Sequence, residues 1–140
     1  MNENKFEIIL LGVIYNPEKK EILIGKGDLD PDSLTGWCFP GTKLKKGEDL
    51  DKKLKQKIKE QTGYEVKNLG SIFVRVPREE PDSFIVFFLC EKFSGKEKAG
   101  GGITELKWID PKKELEEYFA PNMNTRLKGY LQSLGSSDFC

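Results

Sequence analysis

The chain has 140 residues, with 23 basic and 23 acidic side chains, three cysteines and no histidine. That length fits one domain, residues 1–140, with a core that needs neither disulfide nor metal to fold. Balanced charge removes any global field toward nucleic acid or membrane, and the missing histidine excludes Ser-His-Asp, Cys-His and His-ligated metal chemistry, leaving proton transfer to carboxylate, lysine or tyrosine.

Phe6–Asn16 is apolar and β-branched and ends at Asn16-Pro17, which predicts a strand and a turn. Glu21–Gly25 is a second short strand, forming a hairpin with the first across Pro17–Lys20. Gly27–Gly36 is a polar loop, and Trp37–Gly41 is a short extended piece stopped by its own Pro40 and Gly41. Glu48–Thr62 reads as a helix. Leu50, Leu54 and Ile58 form one apolar stripe, Asp49 and Asp51 lie in the first turn, and Gly63 is placed to end the helix. Val66–Val76 and Ser83–Phe93 are strands separated by Pro77–Asp82. The run FIVFFLC is apolar on both alternating sets, so it predicts a central strand covered on both faces.

Ser94–Gly102, with three consecutive glycines, reads as a flexible loop, because no strand–helix frame follows to make a phosphate loop. Thr104–Ile109 is a strand, Pro111–Phe119 a short helix with proline in its first turn, and Asn122 or Asn124 caps a last helix reaching about Leu134. Residues 134–140 form a frayed tail. Strands around one long helix followed by a helical end give an α/β or α+β domain.

Cys38 and Cys90 sit in apolar runs and read as small core residues. The odd count with Cys140 and the lack of zinc spacing predict reduced thiols and a cytoplasmic location. No segment reaches the roughly 18 apolar residues of a membrane span, and the first residues lack the cationic region and cleavage site of a signal peptide.

The segment from Gly41 to Tyr64, GTKLKKGEDLDKKLKQKIKEQTGY, resembles the Nudix box G-x5-E-x7-R-E-U-x-E-E-x-G-U, where U is aliphatic. Glu48, Ile58, Glu60 and Gly63 match it. Thr42 stands for the first glycine, Gln56 for the arginine, Lys57 and Gln61 for two glutamates. The lead-in GWCFPG and the later ITELKWIDPKKELEEYF are similar to the same family, so the likeness covers most of residues 6–134. It implies a mixed β-sheet sandwiched between helices. The family activity it implies is magnesium-dependent hydrolysis of a nucleoside diphosphate linked to another moiety, with a nucleotide or other diphosphate as small-molecule partner. Dimers recur in such proteins, so a homodimer is a further expectation.

An intact box neutralises clustered phosphate charge with magnesium held by carboxylates at i, i+3 and i+4. Here those positions are Lys57, Glu60 and Gln61, contributing +1, −1 and 0, for a sum of zero where three carboxylates would give −3. Magnesium binding is therefore expected to be weak or absent, and activity weak or lost. A positive φ at the box glycine would strain Thr42 and send the loop along another path. Three roles for Lys57 stay open: a solvated surface lysine, an ammonium in place of a metal contacting phosphate, or a bystander to metal held through Glu48, Glu60 and an acid such as Glu105, Glu79 or Glu80.

The candidate catalytic residues are Glu60, Glu48 and Glu105, with Glu60 and Glu48 as candidate metal ligands. Lys57, Lys43, Lys26, Arg75 and Arg78 are candidate substrate contacts. Trp37, Phe73 and Phe84 could stack on a base, although aromatics in strands more often fill a core. The alternative function is a non-catalytic nucleotide- or phosphate-binding module, or a scaffold that keeps only the fold.

Overall fold

The expected strands and the long helix form, and their ends are set by local chemistry. The computed structural model describes residues 6–27, 35–76, 82–119 and 123–135. Residues 28–34 of the polar loop, the Pro77–Asp82 turn except Asp82, the Asn122 cap, and the tail beyond residue 135 with Cys140 lie outside the described residues.

Strand β1 (Glu7–Asn16) turns back into β2 (Glu21–Lys26). The Asn16 side chain accepts the Glu18 and Lys19 N–H groups, and Lys20 closes the turn at φ 56°. Two short strands follow, β3 (Trp37–Cys38) and β4 (Gly41–Leu44). Helix α1 spans Leu50–Thr62. Asp49 caps its first turn by accepting the N–H groups of Asp51 and Lys52, and Gly63 ends it at φ 84°. Strands β5 (Tyr64–Arg75) and β6 (Ser83–Gly95) pair antiparallel, and β7 (Glu105–Ile109) returns to pair with β2. The chain closes with α2 (Leu115–Tyr118) and α3 (Thr125–Gly135), the latter capped by the Asn124 side chain.

Among the described residues the strands make one mixed sheet in the order β3-β2-β1-β6-β5, with β4 on β1 and β7 on β2. β6 is central, parallel to β1 and antiparallel to β5, as its doubly apolar sequence requires. One sheet face presents Leu10, Ile14, Leu23 and Cys90 to Leu54 and Ile58 of α1. The other presents Ile9, Leu11, Ile24 and Phe87 to Leu115, Leu127, Leu131 and Leu134 of α2 and α3. Each fully buried Leu or Ile contributes about 1.5–3 kcal/mol, so the apolar stripe of α1 is what fixes that helix to the sheet. Cys38 and Cys90 are buried free thiols within these layers.

Four expectations need correction. Gly41 does not end the extended piece but begins β4, pairing with Leu11. Thr42 lies inside that strand, and Lys20 is the only non-glycine with positive φ among the described residues, so the strain expected at Thr42 does not arise. The helix expected over Pro111–Phe119 is reduced to Leu115–Tyr118, because Asp110 caps a turn by accepting the Lys112 N–H while its own N–H donates to Glu114.

The glycine-rich segment, finally, is not loop throughout: Ser94 and Gly95 belong to β6. It docks on the C-terminal end of α1, where Lys98 N–H reaches the Thr62 carbonyl at 2.8 Å and Gly100 N–H reaches that of Gln61 at 3.2 Å. These bonds satisfy two of the carbonyls that a helix end leaves without partners.

Candidate functional site

Helix α1 carries the late box positions, and their spacing puts Lys57, Glu60 and Gln61 on adjoining faces. Lys57 Nζ lies 3.2 Å from Glu60 Oε1. Gln56 Nε2 donates to Glu60 Oε2 at 3.4 Å. Both oxygens of the surviving carboxylate therefore face donors from the same helix.

Gln61 turns inward and is only 6% exposed. The Gly41 N–H donates to its Oε1 at 2.8 Å, and its Nε2 donates to the Gly41 carbonyl, also at 2.8 Å. The same nitrogen reaches the Gly101 carbonyl at 3.4 Å. A carboxamide matches a peptide unit in both directions, whereas a carboxylate accepts only. Residue 41 is glycine for a separate reason, its close approach to β1: a Cβ there would stand 1.9 Å from the Leu10 carbonyl oxygen.

Glu48 lies before α1, away from this pair. Its carboxylate accepts the Lys45 N–H at 2.7 Å and ion-pairs with Lys53 at 2.9 Å. The backbone hydrogen bond from Lys45, aided by Lys53, holds its pKa below the ordinary 4.5. Lys53 and Glu60 are seven residues apart, about 10 Å along the helix axis.

Most of the remaining candidates lie on the sheet face opposite α1, whereas Phe84, in register with Ile8, lies on the α1 face. Lys26 and Glu105 are direct cross-strand partners, and Lys26 Nζ lies 5.5 Å from the centre of the Trp37 ring. Trp37 meets Tyr118 edge to face at 5.3 Å, and Lys107 Nζ lies 5.7 Å from the Tyr118 ring. Hydrogen bonding to Tyr118 raises the Lys107 pKa above its ordinary 10.5. Arg75 lies 5.8 Å over Phe87, against which Phe73 also packs. Lys43 pairs with Glu7 at 3.4 Å. Phe84 stacks on Phe6 at 5.2 Å, a contact between two exposed rings. Arg78, Glu79 and Glu80 lie outside the described residues.

Two features escape a reading of the residues alone: the role of Gln61, and the edge-to-face contact of Tyr118 with Trp37. Their partners stand 20 to 81 positions away, and no local pattern announces them.

Magnesium, the metal that the box resemblance implies, takes several hard oxygen ligands. The side chains present do not fit it. The three late box positions offer one carboxylate, already faced by a lysine, and among the described residues no three acidic or cysteine side chains converge as a metal cluster.

A mixed sheet between helices, with a box-bearing helix on one face, defines the class of protein. Residues 7–130 match the NUDIX domain, and the chain belongs to the Nudix family. Solved structures with the same fold include MutT from Aliivibrio salmonicida or Vibrio cholerae, at 21% identity and TM-score 0.67, covering 94% of this chain and 97% of that one. An ADP-ribose pyrophosphatase from Streptococcus suis is 16% identical, with TM-score 0.68 and coverage of 97% and 96%. A NUDIX hydrolase from Nitrosomonas europaea is 14% identical, with TM-score 0.73 and coverage of 94% and 73%. No curated protein matches the chain. No helix among the described residues is long and apolar enough to cross a membrane.

Proposed function

We propose that this chain is a Nudix protein in which magnesium-dependent hydrolysis of a nucleoside diphosphate linked to another moiety is weak or lost. The observation that carries this reading is the pairing of Glu60 with Lys57 at 3.2 Å. A cation approaching Glu60 has to displace an ammonium and gains no help from Gln61. Unit charges about 4 Å apart interact by about 4 kcal/mol at an effective dielectric of 20. A deficit of three negative charges at the late box positions therefore lowers divalent affinity by orders of magnitude. Glu48 and Glu105 remain the other carboxylates that could act, the first engaged by Lys53 and the second set opposite Lys26.

A second reading, a non-catalytic nucleotide- or phosphate-binding module, is favoured by the Trp37–Tyr118 pair with Lys26 and Lys107 beside it. Aromatic faces suit a base, and ammonium groups suit phosphate. The buried thiols Cys38 and Cys90 support a cytoplasmic setting.

The test is a thermal-shift screen of nucleotides and dinucleotides, ADP-ribose among them, with magnesium and with chelator, followed by assay of phosphate products. Weak or lost hydrolysis predicts little product from the wild type and more from Lys57→Glu. A binding module predicts a shift that persists in chelator and shrinks in Lys57→Ala or Trp37→Ala. Brisk magnesium-dependent turnover by the wild type, abolished by Glu60→Gln, would sink the proposal, and no shift under any condition would leave a scaffold.

A further inference from the structure

We infer that the Gln61 carboxamide is a built-in substitute for a bound cation, which makes the folded box of this chain independent of divalent metal. The inference rests on three atoms. Gln61 Nε2 stands 2.8 Å from the Gly41 carbonyl oxygen and 3.4 Å from that of Gly101, in a setting where the side chain is 6% exposed. Replace that nitrogen by oxygen, as a glutamate would, and three oxygens converge with no donor among them. Buried acceptors left facing one another are costly, and the remedy is a cation. Neighbouring oxygens around octahedral magnesium, each about 2.05 Å from the metal, lie about 2.9 Å apart; the 2.8 Å separation matches that spacing and the 3.4 Å one is wider. The amide removes the need by supplying its own hydrogens.

The surroundings agree. Gly101 packs tightly against this side chain: its φ is 55°, and a Cβ there would meet Gln61 Cγ at 3.0 Å. The loop that carries it is tied to α1 by the Gly100 N–H on the Gln61 carbonyl. Through one side chain the amide thus joins β4, α1 and the glycine-rich loop, a connection that a metal-dependent box would leave to its ion. Lys57 acts in the same sense on the outer face, placing a fixed positive charge beside Glu60. This deepens the reading of a metal-poor box, yet its test uses no nucleotide, so the two can fail separately.

The measurement is thermal unfolding of the purified chain in chelator, in millimolar magnesium and in millimolar manganese. The wild type should unfold at one temperature in all three. Gln61→Glu should lose roughly 3–8 °C in chelator and regain at least half of that loss in manganese. Gln61→Met, of similar length but with no oxygen, should lose a comparable amount and regain none. A Gln61→Glu chain that folds only with manganese present counts in favour. A wild type stabilised by either cation overturns the inference. So does a Gln61→Glu chain that is unaffected in chelator, is not restored by manganese, or fails to fold in both.

Discussion

Glu60 and Gln61 are adjacent in sequence and have opposite fates. Glu60 faces water, with Lys57 and Gln56 against its two oxygens, and an exposed pair of this kind contributes at most about 1 kcal/mol to stability. Gln61 points into the protein and binds a peptide unit in both directions. The first contact is legible from spacing alone, since Lys57 and Glu60 are three apart on a helix. The second is not, because Gly41 lies 20 residues away and only the tertiary fold brings it near.

Cys90 shows another buried effect. Burial pushes its thiol from the ordinary 9.0 up to about 12, so the unfolded chain releases this proton at lower pH than the folded one. Stability is then fully present below pH 9 and falls as pH rises through the window from 9 to 12, by at most about 1.4 kcal/mol per pH unit. Urea unfolding at about pH 8 and about pH 10 should show a larger loss in the wild type than in Cys90→Ala. Equal losses in the two proteins would mean that the folded thiol ionises normally.

At the level of elements, α1 is the part that sequence chemistry specifies most completely. The Leu54–Ile58 stripe and Gly63 announce their roles and the structure uses both, while Asp49, expected inside the first turn of a helix from Glu48, caps a helix that starts at Leu50. Gly63 carries a double demand: its φ is 84°, and a Cβ there would stand 1.9 Å from the Lys96 carbonyl oxygen. Gly63→Ala should therefore cost more than the roughly 1 kcal/mol of left-handed strain, because the docked loop has to move as well. A urea titration reads this directly, and a loss below about 0.5 kcal/mol would mean that the loop is not tightly seated. Two of the misplaced elements share a cause. Pro40-Gly41 and Gly100-Gly101-Gly102 look like breakers, but in both places glycine is required for close approach to another strand or helix. Composition reports the absence of a side chain and cannot say what fills the space.

For the whole molecule, the sheet separates two chemistries. The rewired box sits with α1 on one face, and the Trp37–Tyr118 aromatics with their lysines sit on the other. Lys57 stands on α1 and Trp37 on β3, on opposite faces of the sheet. Stability losses from Lys57→Ala and Trp37→Ala should therefore add to within about 0.5 kcal/mol in the double variant. A larger coupling would show that the layers communicate through the core. The apolar runs make a mixed domain of strands and helices legible and the box resemblance selects the sandwich, whereas the assignment of each charged residue to a face needs the strand register, as with Lys26 opposite Glu105.

The parallel pairing of β1 with β6 joins Glu7 to Ser83 at one end and Tyr15 to Glu91 at the other. During synthesis, β1 leaves the ribosome long before its central neighbour exists. At translation rates of about 5–20 residues per second, the 75 residues from 16 to 91 take roughly 4–15 s. In that interval the apolar edge of β1 is held only by its local hairpin partners, and it is a natural client for a nascent-chain chaperone. Any truncation that stops short of β6 leaves the same half-sheet open for good.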